Sequence, residues 1–172
     1  LHDHENDSGF PFCGAILGTP LVQINTHVLP QKTFEKLVKN LNKVGLKHLP
    51  MASLGKAFED AANFFTGRPA YNDNDRIRLQ SHDNYKHKTK HIEIGYPTAG
   101  WLRAAFKSAQ KVSKPGYLEA VKTPVLILTA TKDPLVCSKA QKKAAKAIPN
   151  SSQQEYQAAK HGIWYDTDDT QK

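Results

Sequence analysis

Asp133 and His161 are the residues whose types and spacing point most directly to chemistry. Asp133 stands just past the apolar run Val125-Leu126-Ile127-Leu128, in the turn Thr131-Lys132-Asp133-Pro134. His161 lies one helix and one strand further on, in Ala158-Ala159-Lys160-His161-Gly162. In parallel sheets, ligands and catalytic groups collect at the C-terminal ends of the strands. A strand-Asp-helix-strand-His order can therefore bring a carboxylate to an imidazole across neighbouring strand ends. The carboxylate would hold the ring's tautomer and stabilise its cation while the other ring nitrogen moves a proton. Each residue also has a plainer reading. An Asp before Pro starts a turn or caps the next helix, and a His before Gly is often simply a turn residue.

The elements that must position this pair can be read from hydrophobic periodicity. Phe12 to Gly18, between Pro11 and Thr19-Pro20, is a short apolar run expected as a strand buried on both faces. Thr33 to Val44 carries Phe34, Leu37, Val38, Leu41 and Val44 at helical spacing, and Gly45 stops it. A shorter helix is expected over Gly55 to Phe65. After Gly95-Tyr96-Pro97, Thr98 can cap a helix to about Val112, with Trp101, Leu102, Ala105 and Ala109 on one face. Lys114-Pro115-Gly116 breaks the chain. Val125 to Leu128 is a second buried strand, Ser138 to Ile148 a helix, and Gln154 to Gln157 a weaker third strand. Strands separated by helices argue for an α/β fold with a parallel sheet. The helical material between the first two strands far exceeds what a crossover needs, so it reads as a helical cap inserted into the sheet.

Composition narrows the function classes. The net charge is +8, from 24 basic and 16 acidic residues. That favours an anionic partner surface, and a peripheral contact with an anionic membrane fits it. The basic residues fall mainly in Lys32 to Lys47, Arg76 to Lys90 and Lys139 to Lys146, interleaved with apolar positions as on solvated helix faces. No nucleic-acid-binding motif accompanies them, so no specific nucleic-acid partner is expected. Cys13 and Cys137 are expected as two reduced thiols in apolar surroundings. His87 and His91 are spaced for one helix face and His82 is near, but Lys86, Lys88 and Lys90 surround them and disfavour a bound cation. No metal and no organic cofactor are expected. Trp101, Phe106 and Tyr117 read first as core residues, while Tyr96 and Trp101 could line the mouth of an apolar pocket.

Four segments carry a resemblance: Gly14 to Pro20, Gly95-Tyr96-Pro97-Thr98-Ala99-Gly100-Trp101-Leu102-Arg103-Ala104-Ala105, Thr123 to Val136, and Lys160-His161. Through them nearly the whole chain resembles the C-terminal portion of the α/β-hydrolases, in the bacterial lysophospholipase and monoacylglycerol-lipase branch with its serine-peptidase-like relatives. The resemblance implies a partial α/β-hydrolase fold, the last strands of the sheet, divided as a core strand over 1–20, a helical cap over 21–96 and a C-terminal core over 97–172. It implies Asp133 as triad acid and His161 as triad base of a Ser-His-Asp hydrolase of lysophospholipid or monoacylglycerol, cytoplasmic or peripheral to the inner face of the membrane. The alternatives are a fragment without catalysis of its own, and a peptidase or esterase of the same fold acting on a non-lipid substrate. The family's serine sits in a Gly-x-Ser-x-Gly elbow, with chain order Ser, Asp, His. Ser53 has Gly55 but Met51 in place of the first Gly, and no apolar strand precedes it. Ser8 lacks both strand and pattern. The nucleophile and the oxyanion-hole loop are accordingly expected upstream of Leu1.

Overall fold

The computed structural model describes residues 1–4, 7, 9, 11–26, 29–56, 58 and 96–165. Most of the helix expected over Gly55 to Phe65, the polar stretch with His82, His87 and His91, and much of the expected cap lie outside the described residues.

The architecture is α/β. Among the described residues three parallel strands, β1 (Ala15–Gly18), β2 (Val125–Ala130) and β3 (Ser151–Tyr156), form one sheet with β2 in the middle. Between β1 and β2 come α1 (Gln31–Lys43) and α2 (Ala99–Val112), and between β2 and β3 comes α3 (Ser138–Ala147). β2 is apolar on both faces because both are covered, as in parallel sheets generally. Val125 and Ile127 pack with Val121, Ala145 and Ile148 on one face. Leu126, Leu128 and Ala130 pack with Ala159 and Ile163 on the other.

β3 begins three positions before the expected strand. Its residues, Ser-Ser-Gln-Gln-Glu-Tyr, lack an apolar alternation, and ladder pairing from Val125↔Ser151 to Ala130↔Tyr156 defines it instead. β1 departs further from expectation. It is only four residues long, and Ile16 is 66% exposed, not buried on both faces. Its Ala15 and Leu17 pack beneath β2, whereas Ile16 points to the opposite face at the edge of the sheet. Cys13, before β1, is exposed and Cys137 is half-buried, both as free thiols.

Among the described residues, the two helices ahead of β2 build a core of their own. Ile24, Val38, Met51, Ala99, Leu102, Ala105 and Phe106 are buried together, with Phe34 edge-on to Phe106 at 5.8 Å between ring centroids. α1 ends where Gly45, at φ 86°, turns the chain so that the Leu46 N–H reaches the Leu41 carbonyl. The helices then meet end to start. Asn42 donates to the Ala99 carbonyl at 2.8 Å, and the Gly100 N–H to the Lys47 carbonyl at 2.7 Å. A Cβ on Gly100 would stand 2.8 Å from that same carbonyl oxygen, so this approach requires glycine. Thr98 caps α2 as expected, accepting from the Trp101 N–H at 3.2 Å. Trp101 itself is not core: it is 49% exposed. The buried stripe is Leu102, Ala105, Phe106 and Ala109, and a residue one step earlier is rotated about 100° away from it.

Candidate functional site

The loops leaving the three strands converge. Thr19 follows β1 directly, Asp133 follows β2, and His161 follows β3. Two backbone bridges draw the last two loops together: the Thr131 N–H donates to the Tyr156 carbonyl, and the Lys132 N–H to the Ala159 carbonyl, each at 3.1 Å. The Thr131 hydroxyl adds a bond to the Gln157 carbonyl at 2.6 Å.

The outcome is one polar contact at the sheet's C-terminal edge. His161 Nδ1 lies 2.8 Å from Asp133 Oδ2. The Asp133 side chain is fully buried, whereas that of His161 is 31% exposed. The turn reading and the pairing with His161 hold at once for Asp133, because its two oxygens divide the work. Oδ1 accepts from the Leu135 and Val136 N–H groups at 2.7 and 3.0 Å, which is the turn-forming role of an Asp before Pro. Oδ2 is left for the imidazole. Two backbone donors and a ring donor supply the bonds a buried carboxylate needs in place of water. Asn25 fixes the same turn from outside, donating to the Asp133 carbonyl at 3.2 Å, while the Asn25 and Cys137 N–H groups bond to Leu135 and Gln23.

A carboxylate oxygen only accepts, so a proton on Nδ1 serves this bond and Nε2 remains as the acceptor. That leaves the free lone pair on Nε2, the atom a reacting hydroxyl would have to approach. Nε2 has no partner among the described residues. The pair can therefore take up a proton at Nε2 and stabilise the resulting cation against a fixed, buried negative charge.

Three neighbours had no motif to announce them. The Thr19 hydroxyl donates to the His161 carbonyl at 3.2 Å and its N–H to the Leu128 carbonyl at 2.8 Å. Thr19 also has φ 42°, a conformation β-branched residues avoid and one that clusters at functional sites. Trp164 lies against Gly18, where a Cβ would come within 3.0 Å of the indole ring, and is 61% exposed. Asn25 is the third. The only trace in the chain's order is the small-residue pair Gly18-Thr19 closing an apolar run. Tyr96 and Trp101, the expected pocket residues, stand exposed at the start of α2. Among the described residues no group of three or more His, Cys, Asp or Glu side chains is arranged to hold a metal. No helix among them is long and apolar enough to cross a membrane.

Solved structures share this fold. A soluble variant of monoglyceride lipase from Saccharomyces cerevisiae superposes with a TM-score of 0.54 at 16% identity, covering 90% of this chain and 50% of that one. A monoacylglycerol lipase from Paleococcus ferrophilus gives 0.61 at 12% identity, covering 93% and 55%. A thermostable carboxyl esterase from Bacillus coagulans gives 0.57 at 16% identity, covering 92% and 52%. The chain thus spans about half the length of the structures it matches. No curated protein matches its sequence. The family model described as Serine aminopeptidase, S33, matches residues 2–168. With the parallel sheet and the converging strand ends, that match over nearly its whole length establishes that this chain belongs to the serine aminopeptidase family of the α/β-hydrolases.

Proposed function

We propose that the complete protein is a carboxylic-ester hydrolase of lysophospholipid or monoacylglycerol, working through a Ser-His-Asp triad whose serine lies upstream of Leu1. The observation that carries this reading is the 2.8 Å contact between His161 Nδ1 and a buried Asp133 whose other oxygen is already occupied. In the proposed cycle the serine hydroxyl attacks the acyl carbonyl and passes its proton to His161 Nε2. The imidazolium then protonates the leaving alcohol, and water, deprotonated by the same nitrogen, releases the acid from the acyl-enzyme. Asp133 orients His161 throughout and stays ionised. The cycle calls on no metal or organic cofactor.

Residues 21–96 would form the cap over an acyl-chain pocket, with Tyr96 and Trp101 at its mouth. The substrate would be met in the cytoplasm or at the inner face of the membrane. A peptidase reading has one observation behind it, the family's own description. The test is to express the complete reading frame and assay a lysophospholipid, a monoacylglycerol, a short-chain aryl ester and an aminoacyl arylamide. Hydrolysis of the lipid esters, with fluorophosphonate labelling of a serine upstream of Leu1, supports the proposal. Cleavage of the arylamide alone replaces it with the peptidase reading. If labelling falls on Ser8 or Ser53, the upstream nucleophile is wrong. The 172-residue chain alone is expected to be insoluble or partly folded and inactive on both ester types.

A further inference from the structure

The turn that leaves β1, Thr19-Pro20, is held in a conformation that its own residues disfavour. Thr19 is β-branched and stands before a proline, and each feature favours extended backbone. Its φ is nevertheless 42°, and its side chain is buried. A second cost falls on the same turn. Gln141, on α3, is fully buried and donates from Nε2 to the Pro20 carbonyl at 3.0 Å. Its Oε1 is enclosed with no hydrogen-bond partner among the described residues. Folded chains leave few buried acceptors unpaired. Here the unpaired oxygen comes with the amide that fixes Pro20.

Both costs serve a turn whose side chain reaches the histidine loop. The Thr19 N–H extends the ladder to the Leu128 carbonyl at 2.8 Å, which sets the residue against β2. Its hydroxyl then donates to the His161 carbonyl at 3.2 Å, across 142 positions of chain. That carbonyl also accepts from the Ile163 N–H at 3.1 Å, within the histidine's own turn. Of the two bonds, only the one from Thr19 joins the loop to β1.

We propose that Thr19 is a positioning residue for the hydrolysis described above. Its hydroxyl fixes the His161 backbone, so that the ring keeps its contact with Asp133 while Nε2 takes up and returns the proton. The inference rests on the hydrolase reading, and Thr19 acts through His161 without touching substrate. Two observations favour this role over a purely structural one. Without the hydroxyl the His161 carbonyl still holds the Ile163 N–H, so no buried acceptor is left bare. Glycine would also occupy φ 42° without strain, so backbone stability alone favours a residue with no hydroxyl.

The experiment compares Thr19→Ser, Thr19→Val and Thr19→Gly with the wild type in the complete reading-frame protein. Serine keeps the hydroxyl without the branch, valine keeps the branch without the hydroxyl, and glycine drops both while relieving the backbone. On a short-chain aryl ester, Thr19→Val and Thr19→Gly are expected to lower kcat about tenfold with KM unchanged. That is less than the roughly 100-fold that a 1 Å misplacement can cost, because the loop is loosened and not displaced. Thr19→Ser is expected to stay within about twofold of wild type. Activity should follow the hydroxyl whatever order the unfolding midpoints take, and those midpoints identify a variant that has lost its fold. The ring N–H proton shared with Asp133 gives a second readout, as a downfield proton resonance assigned by its absence in His161→Ala. It is expected to stay sharp in Thr19→Ser and to broaden through exchange with water in the other two. A serine variant as slow as valine, full activity in Thr19→Val, or activity that tracks the midpoints would each overturn the proposal. So would a rise in KM in place of the kcat loss, or an unchanged resonance in Thr19→Val. If the wild type hydrolyses no ester, the hydrolase reading falls. The resonance alone then decides whether Thr19 holds His161 to Asp133.

Discussion

The strand-end loops and the α1–α2 pair solve opposite problems with the same chain. At the strand ends, backbone hydrogen bonds do the positioning. The Asp133 carboxylate is held by two main-chain N–H groups, its turn is tied to the Asn25 side chain, and the loop bearing His161 is bonded to the loop after β2. In the helical pair, apolar side chains do the holding, while the charged groups sit outside on long flexible stems. The difference teaches where each kind of function can reside. Proton transfer needs a fixed geometry, which ladder ends and tight turns supply. Holding two helices together needs only buried apolar area, which the facing stripes of α1 and α2 supply.

This contrast can be broken most forcefully at the strand ends. In the complete protein, His161→Ala is expected to lower kcat on a short-chain ester by about 10⁶-fold, and Asp133→Asn by about 10⁴-fold through the wrong ring tautomer. Retained hydrolysis in His161→Ala would remove the imidazole from the chemistry.

Next in size is Phe106→Ala. It empties the buried centre of the helical pair beside Phe34, and is expected to cost about 3–5 kcal/mol in denaturant unfolding. A cost below about 1 kcal/mol would mean that the pair is not held by its apolar core. Thr98→Ala should cost about 1 kcal/mol by removing the acceptor for the Trp101 N–H, and Thr98→Ser should restore it. If serine does no better than alanine, the cap hydrogen bond is not the cause.

The smallest effect is electrostatic. The Lys111 ammonium, bonded at 2.6 Å, and then His2 lower the Asp3 carboxyl from 3.8 to about 2. A carboxyl whose folded pKa is depressed adds stability above its unfolded value and loses it as pH falls from near 4 toward 2. Asp3→Asn should therefore slightly destabilise the protein at neutral pH, make no difference near pH 2, and lose its effect in high salt because the pair is exposed. An effect that persists in high salt would point to packing of His2 on Tyr117, stacked at 3.9 Å, as its source.

Much of this was legible from residue order. The helical stripe and glycine stop of α1, the Thr98 cap, the run of β2 and the helix α3 all lie within a few residues of their expected limits. Each is a local signal: a period, a cap or a breaker acts within one or two turns of chain. The Asp133 and His161 pair was visible for the same reason, since each follows a strand that could be placed. Where expectation and structure part, a non-local cause is at work. β3 has no apolar alternation and exists as a strand because β2 offers it a ladder. Ile16 is exposed because the face it points to is set by the neighbours of β1, not by its own run of apolar residues. Trp101 left the core because a rotation of one residue separates it from a stripe that Phe106 completes.

The order of residues thus decided which segments became helices and strands, and which carboxylate and imidazole could be partners, because those depend on short-range periodicity and turn chemistry. Only the tertiary structure decided that Asp133 divides its oxygens between a turn and a ring, that Thr19 braces the histidine loop in a strained conformation, and that two basic stripes far apart in sequence face one cleft. Those arrangements join residues through loops whose course depends on packing at a distance. No local pattern encodes that distance, because a contact across folded chain costs loop entropy that only the whole core repays.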